Sequence, residues 1–286
     1  MILNILFIVI GIVLVLWGAD RLTDGAVAVA EKMKMPQIVI GLTIVAMGTS
    51  MPEFCVSLIS ALKGTSDLAV GNIVGSNIFN TLLIVGVSAL VAPMSIMKTT
   101  VRKDIPFALV ASALLLIMCL DGDISRIDAA ILFVMFLIFM YITLRGAKAQ
   151  GTDLEEKEKK PMATWLSVVW ILVGLVCLIG GSNLFVDGAT AVATKLGVSE
   201  AVIGLTIVAG GTSLPELATS VVSARKGNSG IAIGNVLGSN VFNILAILGL
   251  TGVISPMTLK GITMTDLSMM VISIILIWLF SFTKYK

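Results

Sequence analysis

The sequence predicts an all-α polytopic membrane protein made of two inverted-topology repeats, five transmembrane helices in the first and four in the second. Three observations carry this. The 286 residues are 57% hydrophobic and only 13% charged, against about 25% charged in ordinary soluble domains. The apolar residues fall into nine runs, near 3–30, 37–62, 67–92, 104–120, 127–145, 163–186, 200–224, 230–255 and 264–283, each close to the ~20 residues that cross a bilayer as a helix. The chain also repeats itself at an offset of 163 residues.

The runs are too long and too uniformly apolar for barrel strands, so the spans are helices. The first run is followed by further spans, which argues against a cleaved leader. The polar stretch within 150–162 reads as a charged linker, too short to fold by itself. It divides the chain into a first repeat, 1–149, and a second, 163–286. Fifteen of the 19 Lys and Arg residues fall on one side if the N-terminus lies outside; only Lys63, Arg126, Lys195 and Lys260 fall on the other. The positive-inside rule then places the linker in the cytoplasm. Trp165, Trp170 and Trp278 fall near predicted cytoplasmic ends, where interface anchors belong.

The repeat is gapless. Residues 41–86 read GLTIVAMGTSMPEFCVSLISALKGTSDLAVGNIVGSNIFNTLLIVG, and residues 204–249 read GLTIVAGGTSLPELATSVVSARKGNSGIAIGNVLGSNVFNILAILG, identical at 28 of 46 positions. One offset holds five spans, an odd number, so the two copies enter the membrane in opposite senses. Inverted pairs of this kind are a transporter architecture, with the site near the midplane between the repeats. Lys286 aligns with Asp123, so the fifth span has no second-half counterpart. Two readings stay open: a nine-helix protein, or a chain continuing into a tenth span.

Several chemistries are excluded. Histidine is absent, which removes Ser-His hydrolysis and imidazole metal sites. A net charge of +2 gives no basic surface for nucleic acid. Cys55, Cys119 and Cys177 are scattered through apolar runs and read as small apolar residues rather than a disulfide or metal site.

The second and seventh spans each carry a proline and a carboxylate at their centre, in GTSMPE (48–53) and GTSLPE (211–216). Each proline removes a backbone donor and leaves carbonyls near Gly48 and Gly211 without helical partners, which lipid tolerates only inside protein or beside a polar cavity. An acidic residue at a helix centre costs about 2.5–3.5 kcal/mol on insertion scales, and no Lys or Arg lies in the same segments to pair with Glu53 or Glu216. Two such carboxylates must bind metal ions, protons, or both. The third and eighth spans add neutral oxygens: Asn72, Ser76 and Asn80 share one helix face, as do Asn235, Ser239 and Asn243. Ser50, Ser57 and Ser60 line the Glu53 face, matched by Ser213, Ser220 and Ser223; the outer serines read as packing. The glycines Gly41, Gly48, Gly71, Gly75 and Gly86 read as close-packing positions. Asp24 and Asp187 read as caps or interface charges. The pooled ligands are all oxygen, the set preferred by hard cations such as Ca²⁺.

At these motifs the chain resembles the cation/calcium exchanger superfamily, in its prokaryotic sodium/calcium exchanger branch. GTSMPE with GNIVGSNIFN, and GTSLPE with GNVLGSNVFN, match that family's two α-repeats. The resemblance implies ten helices, an ion-binding core from spans 2, 3, 7 and 8, and spans 1 and 6 sliding across it. It implies a Ca²⁺ site on Glu53 and Glu216. Around it lie Na⁺ sites using Ala46, Thr49, Ser50, Ser76 and Asn80 in the first half, and Ala209, Thr212, Ser213, Ser239 and Asn243 in the second, the alanines through their carbonyls. It implies a secondary antiporter in the plasma (inner) membrane of a prokaryote. Na⁺ and Ca²⁺ are its transported ions, three Na⁺ for one Ca²⁺, with no other cofactor and no protein partner. Asn243 stands where some relatives, including potassium-dependent ones, carry Asp, and the linker has no room for the Ca²⁺-sensing domains of animal relatives. A Ca²⁺/H⁺ antiporter on the same fold is the alternative. A cation channel and a carboxylate hydrolase have less support, since an inverted repeat suggests alternating access and no nucleophile–base pair is present.

Overall fold

The computed structural model describes residues 1–149, 162–198, 207 and 209–282. Most of the linker, most of the start of the seventh span, and Lys284 and Lys286 lie outside the described residues. Among the described residues the elements are α1 (Ile2–Lys32), α2 (Gln37–Thr49), α3 (Met51–Leu62), α4 (Ser66–Val91), α5 (Thr100–Asp121), α6 (Arg126–Ala149), α7 (Thr164–Lys195), α8 (Ala209–Thr212), α9 (Leu214–Arg225), α10 (Ser229–Ile254) and α11 (Met264–Ser281). The chain is an integral membrane protein of inverted repeats, and the helices coincide with the predicted apolar runs.

Spans 2 and 7 are broken where the sequence places their prolines. Between α2 and α3 the axis bends by 49° at Ser50, whose φ of −84° and ψ of 10° leave the helical range. Ser213 has φ −88° and ψ 6° at the equivalent break before α9. Pro52 and Pro215 then sit in the first turn of the new helix, where a missing N–H costs nothing.

α1 and α7 pack against each other more extensively than against any other helix. Glycines recur every seventh residue in both, at 11, 18 and 25 in α1 and at 174, 181 and 188 in α7. A Cβ on Gly11 would lie 2.6 Å from the Gly181 carbonyl, one on Gly18 2.8 Å from that of Gly174, and one on Gly188 2.7 Å from that of Asn4. The two backbones therefore touch along an antiparallel seam, the kind of contact that joins helices in lipid without a hydrophobic pull. One end of α1 is also tied to the turn after α9: Lys226 Nζ lies 2.6 Å from Asp20 and 2.7 Å from Asp24, with Arg21 beside both carboxylates. All four side chains are about a third exposed, so each pair is worth about 0–1 kcal/mol. Asp24 is thus an ion-pair partner rather than a helix cap.

The core centres on α10, which is buried from Ile231 through Gly249. Its first half meets α2 through glycines: a Cβ on Gly234 would stand 2.6 Å from the Ile38 carbonyl, and one on Gly238 2.6 Å from the Leu42 Cα. Gly41 packs as expected, against the Gly234 Cα at 2.9 Å, whereas among the described residues nothing lies within 4 Å of a Cβ on Gly75 or Gly86. Trp278 departs from a pure interface role, because its indole N–H donates to the Val101 carbonyl (2.9 Å) and fastens α11 to α5. The all-α expectation includes no strand, yet β1 (Asp123–Ile124) and β2 (Met257–Thr258) pair antiparallel. They are loop ends that follow α5 and α10, where extended backbone satisfies its groups across two loops.

Candidate functional site

Glu53 and Glu216 occupy the first turns of α3 and α9 and are both 0% exposed. Each is held by the serine at the break of the other repeat. Ser50 Oγ donates to Glu216 Oε1 (2.8 Å), and Ser213 Oγ donates to Glu53 Oε1 (3.1 Å). The exchange follows from the two-fold relation: the breaks face one another, so a hydroxyl from one repeat reaches the carboxylate of the other. Ser213 Oγ also lies 3.2 Å from Ser76 Oγ.

The second oxygen of each carboxylate has no partner. Glu53 Oε2 and Glu216 Oε2 are buried and unsatisfied, as are Ser239 Oγ, Asn80 Oδ1 and Asn243 Oδ1. All five belong to the predicted ligand set. Buried polar atoms are nearly always hydrogen-bonded, so these five oxygens on four core helices are left available to an electropositive guest. Among the described residues no Lys or Arg forms a salt bridge to either glutamate. No group of three or more His, Cys, Asp or Glu side chains occurs among them either. The negative charge of the site is therefore two carboxylates, completed by neutral oxygens.

Asn80 opens the π-helical turn Asn80–Ile84 of α4, and Asn243 lies in the π-helical stretch Phe242–Leu248 of α10. Such turns leave the regular ladder and frequently occur at functional sites. The turn holding Asn80 packs against α9, which carries Glu216, and the stretch holding Asn243 packs against α3, which carries Glu53. Each asparagine thus belongs to a turn that packs on the other repeat's carboxylate helix.

The remaining expected ligands are engaged differently. Thr49 Oγ1 donates to Asn235 Oδ1 (3.0 Å) and lies 3.3 Å from the Ala46 carbonyl, which accepts the Ser50 N–H (3.1 Å). The single hydroxyl proton of Thr49 goes to Asn235, so the Ala46 carbonyl keeps one donor, the Ser50 N–H. Thr212 ends α8; Ala209 begins it, and its side chain lies outside the described residues. The carbonyl freed by Pro215, that of Gly211, is capped by the hydroxyl of Ser182 on α7. The aligned first-half position is Ala19, which has no hydroxyl to offer Gly48.

Asn72 and Asn235 share the ligand face but act as struts. Asn72 Nδ2 donates to the Glu53 carbonyl (3.1 Å) and Ser57 Oγ (2.9 Å); Asn235 Nδ2 donates to the Glu216 carbonyl (3.2 Å) and Ser220 Oγ (2.9 Å). Ser57 and Ser220 pass the chain on to the carbonyls of Ala69 and Ala232. These bonds lock α3 to α4 and α9 to α10, and they satisfy the backbone carbonyl of each glutamate. Asn77 and Asn240, which the sequence reasoning missed, are buried between α4 and α10 and bond to Asn243 and Asn80. Their signal was the repeated pair Ser76-Asn77 and Ser239-Asn240, a second amide as costly in lipid as the first.

The chain is similar to known membrane proteins over most of its length. The inner membrane protein YrbG of Escherichia coli is 37% identical over 90% of this chain and 81% of its own. The sodium/calcium exchanger MaX1 of Methanosarcina acetivorans is 32% identical over 96% of this chain and 90% of its own. The structure of the sodium-calcium exchanger NCX_Mj soaked with 2.5 mM Na⁺ and 0.1 mM Ca²⁺ superposes with a TM-score of 0.87 at 30% identity, covering 99% of this chain and 92% of that one. A family profile described as sodium/calcium exchanger protein matches residues 3–145 and 166–286. With nearly the whole chain matched and both carboxylate breaks in place, the chain belongs to the sodium/calcium exchanger family.

Proposed function

We propose that this protein is a secondary antiporter that exchanges Na⁺ for Ca²⁺ by alternating access, both ions competing for one site around Glu53 and Glu216. The observation that carries the reading is the pair of fully buried carboxylates, each with one oxygen clamped by the opposite repeat's serine and one oxygen free. Two ionised glutamates hold −2, which one Ca²⁺ neutralises. Ser76, Asn80, Ser239 and Asn243, with Thr49 and Thr212, supply neutral oxygens for Na⁺, and the carbonyls of Ala46 and Ala209 join them, that of Ala46 once the Ser50 N–H moves away. Three Na⁺ on the same oxygens leave +1, so a cycle moves one net charge, worth about 2.3 kcal/mol per 100 mV. Coupling arises because neither ion set fills the site in the presence of the other.

The moving part is the pair α1 and α7, whose backbones touch each other through the glycine seam. We place the N-terminus outside and the linker 150–162 in the cytoplasm, between repeats 1–149 and 163–286, in a prokaryotic inner membrane. An inward Na⁺ gradient and an inside-negative voltage then both drive Ca²⁺ export. The test is ⁴⁵Ca²⁺ uptake into Na⁺-loaded proteoliposomes, with K⁺-loaded vesicles and an imposed pH gradient as parallel arms. Uptake only with an outward Na⁺ gradient is the expected result; uptake driven by the pH gradient alone reassigns the counter-ion to H⁺.

Asn243 sets the charge of the neutral shell. Asn243→Asp adds a third carboxylate to a site that two already make negative, and it introduces K⁺ or H⁺ dependence into the flux. Ion dependence identical to the parent protein would remove position 243 from the ligand set.

A further inference from the structure

An asparagine is an ambiguous cation ligand. Its oxygen attracts the ion, its NH₂ repels it, and the two ends are nearly the same size. Nothing within Asn80 or Asn243 decides which end faces the ion. We propose that Asn77 and Asn240 are positioning residues that consume the NH₂ groups of Asn243 and Asn80, so that both ligand oxygens point at the cation. The inference rests on Asn80 and Asn243 being ligands.

The orientation of every amide follows from two backbone carbonyls, which can only accept. The Asn77 carbonyl takes the hydroxyl of Thr81 (2.6 Å). Thr81 Oγ1, its proton spent, accepts from Asn240 at 2.8 Å, so the NH₂ of Asn240 is on that side. The Oδ1 of Asn240 is then turned the other way, and Asn80 can meet it only by donating, at 3.2 Å. The second fixed point is the Asn240 carbonyl, which takes the NH₂ of Asn77 (3.2 Å). That leaves Asn77 Oδ1 to accept from Asn243 at 3.0 Å. The NH₂ of Asn77 has one further neighbour, Met270 Sδ on α11, at 3.9 Å. Every NH₂ is accounted for, and what remains buried without a partner is Asn80 Oδ1 and Asn243 Oδ1.

Each ligand is aimed by the other repeat: Asn80 by Asn240, Asn243 by Asn77. The ring of bonds holds no carboxylate or amine, so its orientation does not change with pH. It also distinguishes two classes of residue within one motif. In GSNIFN and GSNVFN the last asparagine bonds the ion and the first aims the last asparagine of the opposite copy.

The test is a double-mutant cycle that separates aiming from support. Asn240→Leu keeps the size and removes the acceptor for the Asn80 NH₂, so the amide is free to turn its donors on the ion. Asn80→Asp has an oxygen at either end and needs no aiming. The readouts are the half-saturating Na⁺ in Na⁺-driven ⁴⁵Ca²⁺ uptake and the melting temperature in Na⁺ titrations. Asn240→Leu is expected to raise the half-saturating Na⁺ about fivefold to tenfold, the scale of one hydrogen bond, and less than about twofold when Asn80→Asp is already present. An equal loss in both backgrounds would make Asn240 a plain strut and overturn the inference, as would no loss in either. If Asn240→Leu does not fold, Asn77→Leu with Asn243→Asp gives the mirror cycle and the same decision. Failure of the underlying reading looks different: Asn80→Asp and Asn80→Ala would then leave Na⁺ affinity unchanged.

Discussion

Glu53→Gln and Glu216→Gln are each expected to abolish Na⁺-driven Ca²⁺ uptake while raising the melting temperature of the ion-free protein. The two effects have opposite signs because, in the proposed function, the carboxylates serve the ion and not the fold. Both are fully buried, and among the described residues neither has a cationic partner. An isolated carboxylate at this depth costs about 2.5–3.5 kcal/mol on insertion scales, and glutamine of the same shape removes most of that. Its Oε1 still accepts from Ser213 or Ser50, the bonds made now at 3.1 and 2.8 Å, so the break geometry survives. What disappears is ligand stabilisation, about 2.7 kcal/mol at a hundred times the dissociation constant. Thermal melts with and without Ca²⁺, run beside the flux assay, read both quantities. A variant with normal exchange would place the site elsewhere, and one that fails to fold would make the carboxylate structural.

The spans, their breaks and the carboxylates were legible in the sequence because lipid punishes exceptions. A proline, a glutamate or a run of amides stands out in an apolar helix, and the 163-residue repeat shows each exception twice. Periodicity put Asn72 on the same face as Ser76 and Asn80, but a shared face does not say what an amide bonds. Asn72 turned out to hold the Glu53 carbonyl and Ser57, and Asn77, one residue off the face, turned out to hold the side chain of Asn243. Those roles depend on which helix crosses which, and at what height. The cap that Ser182 gives Gly211 was hidden for the same reason, since 29 residues of chain separate the two. The glycine seam was legible in principle as a seven-residue period in α1 and α7, but it lies outside the aligned repeat core on which the reading concentrated.

That seam carries the second large effect, and neighbouring glycines isolate it. Gly181→Leu is expected to lower the melting temperature and cut exchange severely, whereas Gly180→Leu is expected to leave both near the parent values. The positions are adjacent in α7 and have the same intrinsic helix cost. Leucine is better than glycine in a helix by somewhat under 1 kcal/mol, so propensity favours both changes equally. Packing does not. A Cβ on Gly181 would lie 2.8 Å from the Gly11 carbonyl, 2.8 Å from Leu14 Cβ and 2.9 Å from the Val15 N, while among the described residues nothing lies within 4 Å of one on Gly180. Two of the three obstacles are backbone atoms of α1, which a rotamer change cannot move, so the helices must separate. Overpacking of this kind costs about 1–3 kcal/mol or more. In lipid the separated pair has no hydrophobic attraction to hold it together. In the proposed cycle α1 and α7 slide as one unit and must stay together at every position along the core, so a pair prised apart at Gly181 would lose that rigid element. Equal damage from both substitutions would show that the exposed face of α7, and not its contact with α1, limits transport.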